Sequence, residues 1–294
     1  KAHMRIRTIL LQGSSVKSLT FLGDMFDGVQ CPCILLQLVA TGKPLSTVGM
    51  RIEDRTRTFI IAMKRTVVPE NFSFRMTDEE YRVLEKIKNS IPVCYQADHA
   101  DFALGIVTGN NKKFLSAEKT EHSEMVLKGT DICKYHINPA KQYLRFEPEQ
   151  FQQVAPLEIY RAPEKLLYRF ISNQLVVAYD DRQMLSLNSC NIVIPKIEGM
   201  QIKYILAILN SSVSQFVYQK EFHSIKVLRA HMEHIPIPRV GKAIQNEIIA
   251  MTEPLICGMG KEAAETCQKR LDCRIMDLFR LSAEEQWIIR HALH

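Results

Sequence analysis

Few stretches of this 294-residue chain combine the side chains and spacing that catalysis or metal binding needs. Cys31-Pro32-Cys33 brings two sulfurs too close in sequence for the usual zinc pairing, and it falls in an apolar run. His231-Met232-Glu233-His234 would set two imidazoles one helical turn apart, but Pro236 follows and no cysteine pair accompanies them. Neither segment predicts a metal site. Gly258-Met259-Gly260-Lys261 is the only Gly-x-Gly. It follows no strand and lacks a third glycine, so it predicts a helix break, not a phosphate cradle. A metal-dependent nuclease of the common kind places a carboxylate two residues before a lysine. No lysine here has one, and Gln201-Ile202-Lys203 is the nearest approximation. Asp180-Asp181 has the character of a turn, and the nine histidines form no Ser/His/Asp or Cys/His signature. The sequence therefore predicts no catalytic residue and no metal ligand set.

Two other stretches combine polar backbone or aromatic rings with positive charge. In Thr108-Gly109-Asn110-Asn111-Lys112-Lys113 the amides could read base edges and the lysines could neutralise phosphate. The second spans Tyr160-Arg161, Lys165 and Tyr168-Arg169. On a strand, Arg161, Lys165 and Arg169 would share parity and hence a face, although Pro163 sets a later start for a hairpin. A solvated loop and a solvated sheet face would show the same residues, and composition alone favours that alternative.

The elements that must position these residues follow from composition and periodicity. With 46% hydrophobic and 24% charged residues the chain is globular, which excludes disordered and collagen-like classes. Its length suits two domains, or one with a helical appendage. Lys plus Arg number 38 and Asp plus Glu 32, a +6 balance that permits a polyanionic partner without demanding one. The longest apolar run, Cys33–Ala40, is far short of a membrane span, and no signal pattern opens the chain. Eight sparse cysteines suggest free thiols in a reducing cytoplasm.

Residues 1–11 look like the end of a helix, broken by Gly13-Ser14-Ser15, with a strand at Val16–Leu22 and a turn at Gly23–Gly28. The run Cys31–Val39 predicts a strand buried on both faces. A short helix and one buried strand cannot build a core alone, so the chain is expected to open inside a sheet domain of a larger protein. Thr77-Asp78-Glu79-Glu80 is a capping box ahead of Tyr81, Leu84 and Ile87, and Asn89-Ser90-Ile91-Pro92 closes that helix. Lys165–Phe170 and Leu175–Tyr179 predict a hairpin, with Met184–Pro195 as the third strand of a meander. Ile202, Ile205, Leu206, Leu209, Val213 and Phe216 define one amphipathic helix face. Ile235-Pro236-Ile237-Pro238 should lie extended over the surface. Helices follow from Ile244, interrupted at Pro254 and Gly258/Gly260, and Ser282-Ala283-Glu284-Glu285 caps the last of them.

Several motifs occur in a telling order. They are Gly105-Ile106-Val107-Thr108-Gly109-Asn110; Leu127-Lys128-Gly129-Thr130-Asp131-Ile132 with Tyr135; and Lys165-Leu166-Leu167-Tyr168-Arg169. Ala178-Tyr179-Asp180, Leu187-Asn188-Ser189-Cys190-Asn191-Ile192, Leu209-Asn210-Ser211 and Ile235–Pro238 complete the series. Together they resemble the TaqI-like C-terminal specificity domain, the target-recognition module of N6-adenine DNA methyltransferases in type II and IIG restriction–modification systems. Phe21-Leu22-Gly23-Asp24-Met25-Phe26 and Val29…Pro32…Ile34-Leu35 are similar to the last strands of that family's methyltransferase domain. Leu271-Asp272…Ile275–Leu281 with Ser282–Glu285 resembles its helical tail.

The resemblance implies an α+β chain in three parts. Residues 1–100 would end an α/β methyltransferase domain and link it onward. Residues 101–240 would form a mostly antiparallel-sheet target-recognition domain, and 241–294 a helical tail. It also implies double-stranded DNA and an upstream methyltransferase domain as partners, with no membrane. Thr108, Gly109, Asn110, Asn111, Lys112 and Lys113 would enter or border a groove. Lys128, Arg161, Lys165 and Arg169 would hold phosphates or bases, while Asp131 and Tyr135 would orient the loop. The family's Gly-rich and (Asn/Asp)-Pro-Pro-(Tyr/Phe) motifs are not in this sequence, and Asn138-Pro139-Ala140 lacks the second proline and the aromatic. S-adenosylmethionine is thus expected in the parent enzyme, with no cofactor on these residues. The rival readings are a protein-interaction module, a nuclease fragment, and the recognition part of a phage-defence methyltransferase without a nuclease.

Overall fold

The computed structural model describes residues 3–29, 31–69, 72–222 and 224–293. They form two units, Lys1–Leu84 and Glu85–His294. In the first, helix α1 (Met4–Gly13) runs into strand β1 (Ser14–Asp24), followed by β2 (Pro32–Ala40), β3 (Arg51–Glu53) and β4 (Thr58–Ile60). Helix α2 (Asp78–Asn89) crosses the division. The sheet order is β2-β1-β3-β4, with β1 antiparallel to β2 and parallel to β3. Val16 and Leu19 of β1 join Met50, Ile52, Ile61 and Phe74 in its core.

The Cys31–Val39 expectation needs correction. The strand exists, but it is an edge strand, and Ile34, Leu35, Leu38 and Val39 are 56%, 61%, 41% and 50% exposed. The Thr77 box does form: Thr77 N–H donates to Glu80 and Glu80 N–H donates to the Thr77 hydroxyl. Beside it, buried Arg65 meets Asp78 at 2.6 Å, and Asp78 also accepts from the Ala62 and Met63 N–H groups. Burial alone would raise the Asp78 pKa, but Arg65 and those backbone donors hold it below the usual carboxylate range.

The second unit begins with β5 (Val93–Cys94), β6 (Ala100–Ala103), the one-turn helix α3 (Asn111–Phe114), β7 (Leu115–Ser116), β8 (Glu124–Leu127) and β9 (Tyr143–Leu144). Then come α4 (Leu157–Tyr160), β10 (Lys165–Arg169), β11 (Val177–Asp180), β12 (Leu185–Ser186) and β13 (Cys190–Pro195). Helices α5 (Ile202–Asn210), α6 (Ser212–Glu221) and α7 (Arg229–Glu233) lead to β14 (Ile237–Pro238), and α8 (Lys242–Ile256), α9 (Lys261–Leu278) and α10 (Ala283–Ala292) finish the chain. The mixed α+β class with a helical C-terminus is as expected.

One sheet has the order β11-β10-β13-β6 and is antiparallel throughout; a second has the order β12-β8-β9-β7. The β10–β11 hairpin forms, but the third strand lies on the far side of β10, because the chain first places Leu185–Ser186 in the other sheet. The meander is therefore replaced by a crossover. Leu167, Ala178 and Ile192 are aligned across the first sheet and face a core shared with Val126, Leu127, Leu144 and Leu187. Helix α5 packs across β10, β11 and β13. With both faces covered, β10 is buried from Lys165 to Tyr168.

Two further expectations change. The single amphipathic face over Ile202–Phe216 is two helices joined at Ser211, which caps α6 by accepting from Ser214 N–H. Ile237 is extended in β14, which pairs with β5, while Ile235 lies in a bend after α7, and both are fully buried. At the C-terminus Gly258, at φ +77°, breaks the helix after α8, and Ser282 and Glu285 close the capping box of α10.

Candidate nucleic-acid interface

The Thr108–Lys113 segment is a built turn, not a slack loop. Gly109 sits at φ +77°, a left-handed conformation that costs a side-chain-bearing residue and suits glycine. Asn110 caps α3 by accepting from Lys113 N–H at 3.2 Å, and the buried Thr108 hydroxyl donates to Asn111 Oδ1 at 2.6 Å. Both asparagine carbonyls are thereby used locally. Their Nδ2 donors and the exposed Lys112 ammonium keep no protein partner among the described residues. Lys113 lies over the Phe114 ring at 4.6 Å, and Phe114 stacks edge-on against Phe151 of the core.

Ile106 bridges Leu187, and Leu187 N–H donates to Leu127, so the turns that follow all three residues leave from one end of the second sheet. At that end the Lys128 N–H donates to Asp131 at 2.8 Å, closing a single turn of 3-10 helix over Gly129–Asp131. Gly129 N–H donates to the Ser189 hydroxyl, and a Cβ on Gly129 would stand 2.5 Å from the Ser189 carbonyl oxygen. Glycine is required there by close approach. Arg169 spans the same corner and donates to the Ile132 carbonyl at 2.6 Å, without a carboxylate partner among the described residues. Thr108, Gly109, Asn110, Lys128 and Arg169 are thus brought to one end of the sheet. Asp131 shapes the Lys128 turn itself. Tyr135, buried at φ +74°, exchanges backbone hydrogen bonds with β11.

Arg161 and Lys165 lie elsewhere and are paired. Arg161 follows α4 and reaches Glu124 at 2.5 Å and the Gln183 carbonyl at 2.8 Å. Lys165 stands opposite Asp180 in the hairpin register, and the two meet at 2.5 Å with both side chains fully buried. Its ammonium also donates to the Tyr160 carbonyl at 2.6 Å. Burial pulls the Lys165 pKa down, and the Asp180 charge opposes that pull. The other Asp180 contacts, from Arg182 and Met184 N–H, fix the turn into β12. The expectation that Lys165 holds a phosphate is therefore corrected: no solvent-facing donor remains on it. The shared parity of Lys165 and Arg169 is real, but the face is the core.

Asp180 and Ser189 escaped sequence reasoning. The hairpin itself pointed to Asp180, because a lysine opening one strand faces an aspartate closing the next. Ser189 left no signal, since only the crossover brings it to Gly129. No described group of three or more His, Cys, Asp or Glu could hold a metal ion. No described helix is long and apolar enough to cross a membrane. Lys203 of the Gln201-Ile202-Lys203 segment is paired with Glu253 at 2.7 Å.

These features coincide with a recognised class. Residues 124–237 match the TaqI-like C-terminal specificity domain. Over 96% of its length the chain also aligns with a solved type IIL restriction–modification enzyme, MmeI, whose structure is a complex with DNA (TM-score 0.57, 10% identity). The chain spans 45% of the MmeI chain, and at this identity the likeness is one of fold. Weaker similarities link it to the type IIG restriction endonuclease BpuSI (TM-score 0.40, 10% identity, 94% of this chain and 45% of that one). The HsdS subunit from Thermoanaerobacter tengcongensis is similar at TM-score 0.38 and 13% identity, over 74% of this chain and 50% of that one. No curated protein sequence matches the chain.

Proposed function

We propose that this chain is the DNA target-recognition part of an adenine-specific restriction–modification methyltransferase, and that it positions duplex DNA for an upstream catalytic domain. The observation that carries the reading is the corner formed by the Thr108 turn, Lys128 and Arg169 inside or beside a specificity domain. There the backbone is rigidly fixed while amide donors and cations lack acidic partners. Rigid presentation of unpaired donors is what base and phosphate contacts need. The exposed apolar strand β2 supports the upstream partner, because a strand apolar on both faces is stable when further layers cover it.

The residues present do not fit S-adenosylmethionine. Asn138-Pro139-Ala140 lies in a loop where the Asn138 amide donates to the Cys133 sulfur, and no Gly-rich turn accompanies it. The methyl donor belongs to the proposed upstream domain, and the chain's own task is binding and orientation in the cytoplasm. Titrating duplex oligonucleotides at several salt concentrations tests the reading. Each neutralised phosphate should add about −0.9 to the log–log slope of affinity against salt. A flat slope, or no binding at low salt, would overturn it and favour a protein-interaction module.

A further inference from the structure

Three helices of the second unit surround a cavity of about 630 Å³ remote in sequence from the Thr108 turn. Helix α6 contributes Ser212, Gln215 and Gln219, α9 contributes Lys269, Asp272 and Cys273, and α10 contributes Arg290, with Leu293 just past its end. Gln215 and Gln219 follow Ser212 at successive steps of three and four residues, and Asp272 and Cys273 lie three and four residues after Lys269, so α6 and α9 each turn one face inward. Lys134 closes one side from the loop before β9.

The lining is cationic, and its one carboxylate is already used. Asp272 accepts from the Ser212 N–H at 2.9 Å and from the Ser212 hydroxyl at 2.8 Å, one bond to each oxygen at the first residue of α6. Lys134 donates to the Asn210 carbonyl at 3.2 Å, and an ammonium has further donors to give. Burial presses the Lys134 pKa down, with Asp272 the opposing influence. Among the described residues Arg290 hydrogen-bonds only to neutral groups, the Cys273 and Met276 sulfurs and the Gln286 amide oxygen. Lys269 is exposed at the rim and has no acidic partner among the described residues. A cavity lined by Lys134, Lys269 and Arg290, with its one carboxylate held by Ser212, offers three cationic donors to an anion with several acceptor oxygens. We propose that this cavity binds a phosphate ester group, with Lys134 as the inner donor and Arg290 and Lys269 at the mouth.

That chemistry has two sources, a free phosphorylated small molecule or a backbone phosphate of duplex DNA. Isothermal titration of the whole chain with sodium pyrophosphate, at ionic strength matched by sodium chloride, separates them when paired with duplex binding. K269Q and R290Q change exposed side chains and should leave the fold intact; K261Q, at the start of α9 and outside the cavity, is the control. Pyrophosphate should bind the unaltered chain and the control, and bind K269Q and R290Q about tenfold or more weakly, as loss of a charged hydrogen bond implies. If pyrophosphate does not bind but duplex affinity falls in K269Q and R290Q and not in K261Q, the phosphate comes from DNA. Absence of both effects, or equal weakening in all three variants, overturns the site.

Discussion

The two basic segments differ in what their charges already hold. Around β10, Lys165 is enclosed with Asp180, and Arg161 is tied to Glu124 and a backbone carbonyl. Around α3, hydrogen bonds fix the backbone while Lys112 keeps no acidic partner among the described residues and Lys113 has only the Phe114 ring. Similar residue types thus serve opposite ends. A buried cation must be neutralised where it stands, because leaving water costs an ion several kcal/mol. An exposed cation on a rigid turn costs little and stays available to a polyanion. The difference teaches that partner supply, more than residue identity, separates a brace from a contact.

The sharpest break is at Lys165. Lys165→Met should cost about 3–5 kcal/mol in urea unfolding, because it strands the Asp180 charge in the core. Adding Asp180→Asn should recover part of that loss by removing the stranded charge, while the asparagine oxygen can still accept from the Arg182 or Met184 N–H groups. Lys112→Ala and Lys113→Ala should stay within about 0.5 kcal/mol of the parent, as surface changes do. Equal losses in both groups would erase the distinction.

Gly129 sharpens it next. Its added Cβ would meet the Ser189 carbonyl at 2.5 Å, and a backbone atom cannot swing aside. Gly129→Ala should therefore cost about 1–3 kcal/mol, as overpacking does. It should also weaken duplex binding more than its stability loss explains, because the Lys128 turn must shift to accept it. Binding measured well below the unfolding midpoint separates the two effects.

How far the sequence carried these conclusions depends on range. Local signals survived: the Thr77 and Ser282 boxes cap their helices, and the Lys165–Tyr179 hairpin forms in register. What failed was set by neighbours distant in sequence. Parity correctly grouped Lys165 with Arg169, but no pattern within β10 tells a solvent face from one covered by β8 and β12. The Cys31–Val39 run has the composition of a central strand, and its exposure is a property of what lies beside it. In the candidate site the Thr108 turn was legible because glycine, asparagine and lysine each have a local role there. Its proximity to Lys128 and Arg169 depends on the Ile106–Leu187 bridge and was not.

Salt dependence tests the DNA-facing side of the comparison. Replacing Lys112 and Lys113 together should flatten the log–log slope by about one unit for each phosphate that these lysines neutralise, with similar weakening across DNA sequences. Asn110→Ala and Asn111→Ala act differently if their free amides read bases. They should change discrimination among sequences while the slope holds, although Asn110→Ala also removes the α3 cap, so its helix content must be checked alongside.

The smallest effect belongs to Arg161. Its partner Glu124 is 42% exposed and Arg161 itself 33%, so the pair is screened by solvent and worth about 0.2–1 kcal/mol. Arg161→Ala should therefore lower stability slightly and leave the salt slope unchanged. Glu124→Gln offers the complementary case, since it frees Arg161 without removing it. If Glu124→Gln steepens the slope while Arg161→Ala does not change it, the carboxylate is what withholds this cation from DNA. If Arg161→Ala flattens the slope as Lys112 and Lys113 do, Arg161 leaves Glu124 to meet a phosphate, and the division between bracing and contacting cations falls at Lys165 alone.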